Sequence, residues 1–574
     1  MHQGRLITLF DEKPDIPLQD KDVIITNDDS LCDSNHKIVH INRVDYVDKD
    51  GVLLKSIRET LSLLPEEYHM MHNSIYHMML RPIIHALVTI DRVIRQEKIN
   101  EIWLFGGNET PFLTMNNAEG EGVKKQYHSS WLYNSVIYQY FSTDKTIKIQ
   151  WKKKTSKFAH WMLYRVREQS KYYRRTLGYI IRDFHTPNQT NICINKEKRA
   201  VVALAELDLQ YKHLAKVIAD ISKYEKLFIL GRRINPSSND LVCYLPSLSV
   251  ASILKVMSRI RNANTQNKTI HFLLNGRSVV LPINRIMMGS KERLFITLYQ
   301  EEALSRLLQI LGPERVQCVC TNRTMGADIC YVHNVCKKYK LLHVNFQYVA
   351  MPEILYPEMD VADRYYLYSK KTYDLYRAYG SQYEFYLPLE REALSEKATE
   401  GKRIVIFTQP DTYTDRYLVA IKAILSLFQE KHSHIEIIIK LHYRQDKVDD
   451  FLACQKYYNY AKIMPTGNAG EIMRECDCVI SMTSSVLFEA LLQGIPAMIL
   501  DFDGLDRTFI EESDVCVPEV NYVVHSPQEV FDLLYDYSKF YHEYKKRLEK
   551  FVIKHHVQMM ETTKCLEAKQ SEIC

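Results

Sequence analysis

The stretch "SMTSSVLFEALLQGIPAMIL", from Ser481 to Leu500, reads as a helix between two buried strands. Three hydroxyl residues, Thr483, Ser484 and Ser485, stand where the first strand turns into the apolar helical run. Helix N-termini favour Ser and Thr as caps, and capping accounts for one of the three. Free backbone N–H groups and the helix dipole also favour a bound anion at such a point. The stretch therefore predicts a strand–helix–strand unit whose helix start is either a plain N-cap or an anion site.

The same alternation of strands and helices surrounds this stretch. Near-continuous apolar runs predict strands that are buried on both faces, as in a parallel sheet with helices on either side. Five such runs predict a five-stranded unit: "RIVIFTQP" (403–410), "IEIIIKLH" (435–442), "AKIMP" (461–465), "DCVISM" (477–482) and "PAMILDFD" (496–503).

Three loops of this unit follow the carboxyl ends of predicted strands, where open parallel sheets bind their ligands. They are Thr408–Pro410, Lys440–Asp446 and Ser481–Ser485, and we expect them to meet at one rim of the sheet. His442, which ends the second strand close to Arg444, is predicted to donate to a phosphate oxygen. A histidine satisfied by backbone groups at a strand end is the structural alternative.

The order of these residues resembles that of GT-B glycosyltransferases, in particular the branch with a "K-x-H-P" motif followed by an "S-S" motif. That branch includes bacterial polysialyltransferases, capsule Kdo transferases and CDP-glycerol glycerophosphotransferases. Tyr443 stands where the branch has its proline. The resemblance covers residues 400–560, and the positions that match the two motifs and the broader "E-A-x-x-x-G-x-P" pattern are Lys440, His442, Ser484, Ser485, Glu489, Ala490, Gly494 and Pro496.

This resemblance implies an α/β fold with a GT-B-like pair of Rossmann-type domains with parallel sheets, plus an extra N-terminal α/β region. It implies a transferase that moves a sugar from a nucleotide-linked donor, a CMP-sugar first and a UDP-sugar next, to a bacterial capsule or lipopolysaccharide glycan. The nucleotide-sugar is a substrate, so neither a cofactor nor a metal is expected. The residues implied in donor binding are His442, Ser484, Ser485, Thr483 and Arg444 for the phosphate, and Gln409 and Glu489 for the nucleoside.

Other functions fit parts of the same pattern. A CDP-glycerol-type polyol-phosphate transferase shares the histidine and the serines. A non-catalytic GT-like protein that binds glycan or acts as a scaffold would keep the fold without turning over a donor. Non-hydrolysing sugar epimerases share the GT-B shape, but the acidic and histidine landmarks of that family are missing from the sequence.

Inverting transfer needs a general base that takes the proton of the acceptor hydroxyl. Glu206 follows the first strand of a second α/β unit, and Glu119 lies in the acidic and glycine-containing "AEGEG", so both are candidates. In the same unit, His343, Asn345 and Gln347 alternate along "LLHVNFQ". Period-two geometry puts them on one strand face, which either lines an interdomain cleft or is a half-buried polar face.

The chain divides into four predicted regions. Residues 1–150 form an N-terminal α/β region, 151–190 a basic aromatic helical connector, 198–395 the acceptor-side domain and 400–574 the nucleotide-donor domain. The segment Trp151–Arg182 carries ten Lys or Arg and one acid. This fits a helix on an anionic membrane surface, a contact with an anionic polysaccharide acceptor or with nucleic acid, or a solvated interdomain helix. In the second unit, "LFITLY" (294–299) is predicted to be a strand.

Composition is that of a globular protein. The chain has 574 residues, of which 46% are hydrophobic and 25% charged, and a net charge of +5, so no nucleic-acid partner is expected. It has no apolar run near the ~18 residues of a membrane-spanning helix, and an acidic cluster stands near its start. We therefore expect a cytoplasmic protein that is peripheral at the inner face of the membrane. Glycine is scarce at 18 residues, and no glycine-rich phosphate loop occurs.

Overall fold

The structure is a computed structural model. It describes residues 4–9, 17–26, 37–40, 52–64, 80–105, 130–152, 170, 173–174, 177–178, 198–205, 208–219, 221–231, 234, 240–263, 269–282, 290–322, 327–347, 362–368, 370–377, 381–387, 389, 391–394, 403–410, 413–502, 504, 510–511 and 515–555.

The N-terminal sheet is made of short buried strands with helices between them. Its strands are β1 (Leu6–Leu9), β2 (Val23–Thr26), β3 (Lys37–His40), β4 (Glu101–Phe105) and β5 (Lys148–Lys152), and its helices are α1 (Val52–Leu61), α2 (Arg81–Glu97) and α3 (Ser130–Ser142). All neighbours are parallel, in the order β3-β2-β1-β4-β5. Every residue of β1 and β2 is buried, as expected for a sheet with both faces covered.

The second sheet has seven strands: β6 (Ala200–Ala205), β7 (Glu225–Leu230), β8 (Leu241–Cys243), β11 (Val316–Thr321), β12 (Leu342–Phe346), β13 (Arg364–Leu367) and β14 (Tyr383–Phe385). They are parallel, in the order β14-β13-β12-β11-β6-β7-β8, so the strand order reverses between β11 and β6. The associated helices are α4 (Asp208–Val217), α5 (Val250–Asn262), α6 (Ser290–Leu311), α7 (Ala327–Tyr339) and α8 (Lys370–Tyr376).

The prediction of a strand at 294–299 is wrong, because this segment lies inside α6. Leu294, Leu298, Leu304, Leu308 and Leu311 are all buried, and their spacing is that of one helix face. The six-residue apolar run is only the first part of that face, so on its own it looks like a strand.

An antiparallel hairpin links the first two sheets. It consists of β9 (Thr269–Leu274) and β10 (Arg277–Pro282), joined by Asn275 and Gly276, both at positive φ as a two-residue hairpin turn requires. Thr60 of α1 donates to the His271 carbonyl oxygen at 2.5 Å. Arg277 pairs with Asp144, which follows α3, at 2.9 Å. Buried Ile270 and Val279 of the hairpin belong to one apolar cluster with side chains of both sheets, so the hairpin connects the N-terminal sheet to the second one.

The third sheet has the strands β15 (Arg403–Phe407), β16 (Glu436–Lys440), β17 (Ala461–Met464), β18 (Cys478–Ser481), β19 (Ala497–Leu500) and β20 (Tyr522–Val524). Its helices are α9 (Thr414–Glu430), α10 (Val448–Leu452), α11 (Ala469–Arg474), α12 (Val486–Gln493), α13 (Pro527–Tyr535) and α14 (Tyr537–Lys554). The strands are parallel, in the order β17-β16-β15-β18-β19-β20. All five predicted strands are present, and β20 adds an edge.

The last helix, α14, connects the second and third sheets. Its buried Tyr544 and Leu548 belong to one apolar cluster with side chains of the second sheet. Buried Lys545 donates to the carbonyl oxygens of Ala393, at 2.5 Å, and Gly494, at 3.1 Å. The predicted fold class is confirmed: two parallel Rossmann-type sheets, preceded by a further N-terminal α/β region.

Candidate functional site

The three predicted loops meet at the carboxyl edge of the third sheet. β15 lies in the middle, with β16 on one side and β18 on the other. The loops that follow β16 and β18 are therefore about 10 Å apart, which is two strand spacings. The loop after β15 lies between them and is hydrogen-bonded to both.

Thr408 joins the central loop to the loop that carries His442. Its Oγ1 accepts a hydrogen bond from the backbone N–H of His442 at 3.1 Å. The same hydroxyl donates to Oε1 of Gln445 at 2.8 Å, and the Gln445 amide donates to Thr414 of α9 at 2.8 Å. All three side chains in this network, Thr408, Thr414 and Gln445, are buried. Their hydrogen bonds therefore hold the His442 loop in place from the protein interior.

Gln409 joins the central loop to the hydroxyl cluster. Its Oε1 accepts from the Thr483 backbone N–H at 3.1 Å and from the Thr483 hydroxyl at 3.0 Å. The Tyr417 hydroxyl of α9 donates to the same oxygen at 3.2 Å. The amide oxygen thus holds the hydroxyl loop, and the Gln409 amide nitrogen is the group left for the predicted contact with a nucleoside.

The start of α12 is not a simple N-cap. Ser485 is the N-cap residue, but it has helical φ and ψ, and its side chain makes no capping bond. Its hydroxyl donates instead to Oε1 of Glu489 at 3.4 Å. The Ser484 hydroxyl accepts a long bond, 3.5 Å, from the Val486 N–H. Within the described chain the backbone N–H groups of Ser484 and Ser485 have no acceptor, so the helix start presents free donors.

His442 is held as a neutral imidazole with a defined proton position. The Arg444 backbone N–H donates to its Nδ1 at 3.2 Å, so Nδ1 is the unprotonated nitrogen and Nε2 carries the hydrogen. Burial, assisted by the charges of Arg444 and Lys440, lowers its pKa to about 4. At neutral pH the ring therefore offers one N–H donor and no charge.

Two cations flank this imidazole without a neutralising carboxylate. Lys440 is buried; its ammonium donates to the Leu441 carbonyl oxygen at 2.5 Å, and burial lowers its pKa. Arg444 is exposed. Neither side chain forms an ion pair in the part of the chain that the structure describes. An anion bound here would meet positive charge that no protein group already offsets.

Glu489 lies one turn into α12, on the side of the second sheet. Its side chain is exposed, yet the surrounding protein is dense enough that burial raises its pKa, an effect that the Ser485 hydroxyl and then the Lys216 charge partly offset. Lys216 belongs to α4 of the second sheet, so a charge from that domain acts on this carboxylate. The contact of Glu489 with a nucleoside stays a prediction.

His343, Asn345 and Gln347 do not line an open cleft, because all three are buried. The Thr321 hydroxyl donates to Asn345 Oδ1 at 2.7 Å and lies 3.0 Å from His343 Nε2. Gln347 Oε1 accepts from the Tyr368 N–H at 2.7 Å. The polar face of β12 is therefore internal, and the interpretation that it lines an interdomain cleft is wrong.

A polar cluster around His213, at the strand-order reversal of the second sheet, was missed from sequence. His213 of α4 contacts the Tyr368 hydroxyl through Nε2, and its Nδ1 accepts from the Asn322 amide at 3.3 Å. Burial lowers its pKa to about 3. The three residues are far apart in sequence, so no local pattern brings them together.

Several predicted positions lie outside the described residues. Both predicted general bases, Glu206 and Glu119, are among them, as is most of the basic segment 152–182. Over the described ranges, no group of three or more His, Cys, Asp or Glu is arranged to hold a metal ion. None of the described helices has the length and apolar character needed to cross a membrane.

Comparison with known proteins gives only distant structural likenesses. No protein-family model and no curated protein matches the chain. UDP-GlcNAc 2-epimerase from Neisseria meningitidis, bound to UDP-GlcNAc, superposes with a TM-score of 0.38 at 11% identity over 62% of this chain and 99% of its own. MurG from Acinetobacter baumannii superposes with a TM-score of 0.37 at 11% identity, over 64% of this chain and 98% of its own. Spinosyn rhamnosyltransferase SpnG, complexed with thymidine diphosphate, superposes with a TM-score of 0.34 at 12% identity, over 64% of this chain and 100% of its own. With TM-scores this low, they assign no activity to the chain.

Proposed function

We propose that the chain is a metal-independent glycosyltransferase of the GT-B type, which binds the phosphate of a nucleotide-linked sugar at the rim of the third sheet. The observation that carries this proposal is the set of unused donors there. The N–H groups of Ser484 and Ser485, the Nε2–H of His442 and the exposed Arg444 guanidinium belong to the two loops on either side of β15.

These groups match the needs of a phosphate. A helix N-terminus supplies oriented N–H groups and a partial positive charge. Hydrogen bonds to an ionised oxygen are stronger than neutral ones. A neutral imidazole can donate to phosphate without losing a proton, and Arg444 and Lys440 add positive charge.

The proposed reaction uses this site to stabilise the leaving group. The oxygen of the acceptor hydroxyl attacks the anomeric carbon of the donor, and the bond from that carbon to the phosphate oxygen breaks. The nucleotide leaves with the electron pair, and its added negative charge meets the helix N-terminus, His442 and Arg444. The hydroxyl proton goes to a general base, for which we propose Glu206, with Glu119 as the alternative.

The finer assignments rest on the motif order. The K-x-H and S-S residues favour a CMP-linked acidic sugar, and a UDP-sugar next. The acceptor we propose is a bacterial capsule or lipopolysaccharide glycan, with the basic segment 152–182 at the inner face of the membrane. Gln409 and Glu489 are proposed to contact the nucleoside, Glu489 through a ribose hydroxyl.

A thermal-shift titration tests the proposal. CMP, CDP, UDP and GDP are added to the full chain, and we expect at least one to raise the melting temperature, because a ligand that binds only the native fold stabilises it. His442→Ala removes a donor to a charged oxygen, so we expect affinity to fall about tenfold or more. Ser484→Ala should also lower the affinity for the nucleotide.

His434→Ala is the matched control. His434 is exposed and precedes β16, at the opposite end of the strand that His442 follows. It should respond to nucleotide like the native chain. Absence of any response at millimolar nucleotide, or equal responses of the His442 and His434 variants, would contradict the proposed site.

A further inference from the structure

Tyr443 occupies the outer corner of a rigid turn. The Gln445 N–H donates to the His442 carbonyl oxygen at 2.9 Å, so residues 442–445 form a β-turn with Tyr443 at its second position. Proline is favoured at that position of common turns, which explains how tyrosine can replace the proline of the K-x-H-P pattern. With tyrosine in place of proline, the chain still forms the turn and also presents an aromatic ring at this position.

The ring is presented to solvent next to the proposed phosphate site. Tyr443 is 82% exposed, although a large aromatic side chain gains free energy from burial. Its centroid lies 4.4 Å from that of His442, and the Arg444 guanidinium carbon lies 5.4 Å from it. Buried Gln445 anchors one end of the turn, so the ring stands on a fixed base.

We infer that Tyr443 is a stacking platform for the base of the nucleotide donor. This inference rests on the proposed function, which puts a phosphate of the same ligand on His442. In a nucleotide only the ribose separates the base from the phosphate, so the base lies within reach of the neighbouring side chain. Every base has a π face that stacks on an aromatic ring.

The chemistry of the turn favours a base over other occupants. The ring lies beside two polar side chains, exposed Arg444 and half-buried His442, so it does not form an apolar surface for an apolar partner. A free phosphate would use these two groups and gain nothing from the tyrosine. A base joined to a phosphate uses all three, so the turn is suited to a nucleotide as a whole.

The test compares ligands with and without a base. Calorimetric titration of the full chain uses CMP and UDP as nucleotides, and inorganic phosphate and pyrophosphate as anions that lack a base. We expect Tyr443→Ala and Tyr443→Pro to weaken nucleotide binding about tenfold, which is the scale of one base–aromatic stack, and to leave binding of the anions unchanged. Tyr443→Phe should restore nucleotide affinity.

Tyr535 provides a matched control. It is also 82% exposed, but it lies at the end of α13, away from the three loops. Tyr535→Ala should not change any affinity. The inference is overturned if Tyr443→Ala binds nucleotides as tightly as the native chain does, or if it loses anions and nucleotides equally. If no nucleotide binds the native chain, the proposed function fails and this inference fails with it.

Discussion

Replacing Gly494 with alanine is expected to destabilise the fold by about 4 kcal/mol or more, in the range of the largest single-residue effects. Gly494 ends α12 in the left-handed conformation, at φ 68°. A Cβ there would lie 2.1 Å from the Ala393 carbonyl oxygen and 2.6 Å from its Cα. Both are backbone atoms, so the segment 391–394 would have to move away from α12.

The same contact includes a buried cation, which makes the loss larger. Lys545 donates to both the Gly494 and the Ala393 carbonyl oxygens, so at least one of these two bonds breaks if α12 and the 391–394 segment move apart. Losing a hydrogen bond to a buried charge costs free energy in addition to the steric clash. The glycine of the "E-A-x-x-x-G-x-P" pattern therefore has a structural reason in this chain.

Gly276→Ala is the control for the effect of backbone conformation alone. Gly276 has φ 74°, and a Cβ there would meet nothing within 4 Å. It should lower the free energy of unfolding by only about 1–2 kcal/mol, the effect of the left-handed conformation. Urea unfolding of both variants measures the difference. If Gly494→Ala is no less stable than Gly276→Ala, the close approach to Ala393 has no energetic importance.

Sequence patterns predict the third sheet well because its strands are buried on both faces and are therefore apolar throughout. The convergence of the Thr408, His442 and Thr483 loops follows from parallel strands alone. The strand predicted at 294–299 fails for the opposite reason, since a short apolar run is ambiguous until the helix periodicity beyond it is counted. The Asn275–Gly276 dipeptide between two apolar runs is a hairpin signal, and the structure has a two-residue turn there.

The internal bonds of the site are harder to predict. Gln409 bonds to Thr483, which is 74 positions away in the sequence, and the Tyr417 hydroxyl of α9 donates to the same amide oxygen. Such bonds depend on how the side chains of neighbouring elements meet, and no spacing rule encodes them. Sequence reasoning therefore predicted which donor groups lie at this rim, but not the buried amide and hydroxyls that orient them.

Acidification is expected to destabilise the protein through buried neutral histidines, and His343 is the clearest case. Its Nε2 lies 3.0 Å from Thr321 Oγ1, whose hydrogen is already donated to Asn345, so Nε2 is the protonated nitrogen. Among the residues that the structure describes, its buried Nδ1 has no hydrogen-bond partner. A second proton would therefore be a buried charge without an acceptor, and burial, assisted by His333, lowers the pKa of His343 to about 3.

The sign of the effect follows from linkage. The pKa in the folded state, about 3, lies below the ordinary value of 6.5. Between these two pH values the unfolded chain binds a proton that the folded chain does not bind. Stability is therefore complete above pH 6.5 and falls as the pH drops towards 3. One such histidine removes about 2 kcal/mol between pH 7.5 and pH 5, and His213, whose pKa is also lowered to about 3, adds a loss in the same direction.

Urea unfolding at pH 7.5 and pH 5 measures this loss in the native chain, in His343→Gln and in His434→Gln. Glutamine keeps an N–H donor for Thr321 but does not titrate, so the His343 variant should lose about 2 kcal/mol less than the native chain over this interval. The exposed His434 variant should follow the native chain. This difference separates the titration of His343 from the general acid sensitivity of carboxylates, because carboxylates contribute equally in all three proteins. Equal losses in the two variants would mean that His343 gains a proton in the folded state, and that the internal polar face of β12 is open enough to solvate it.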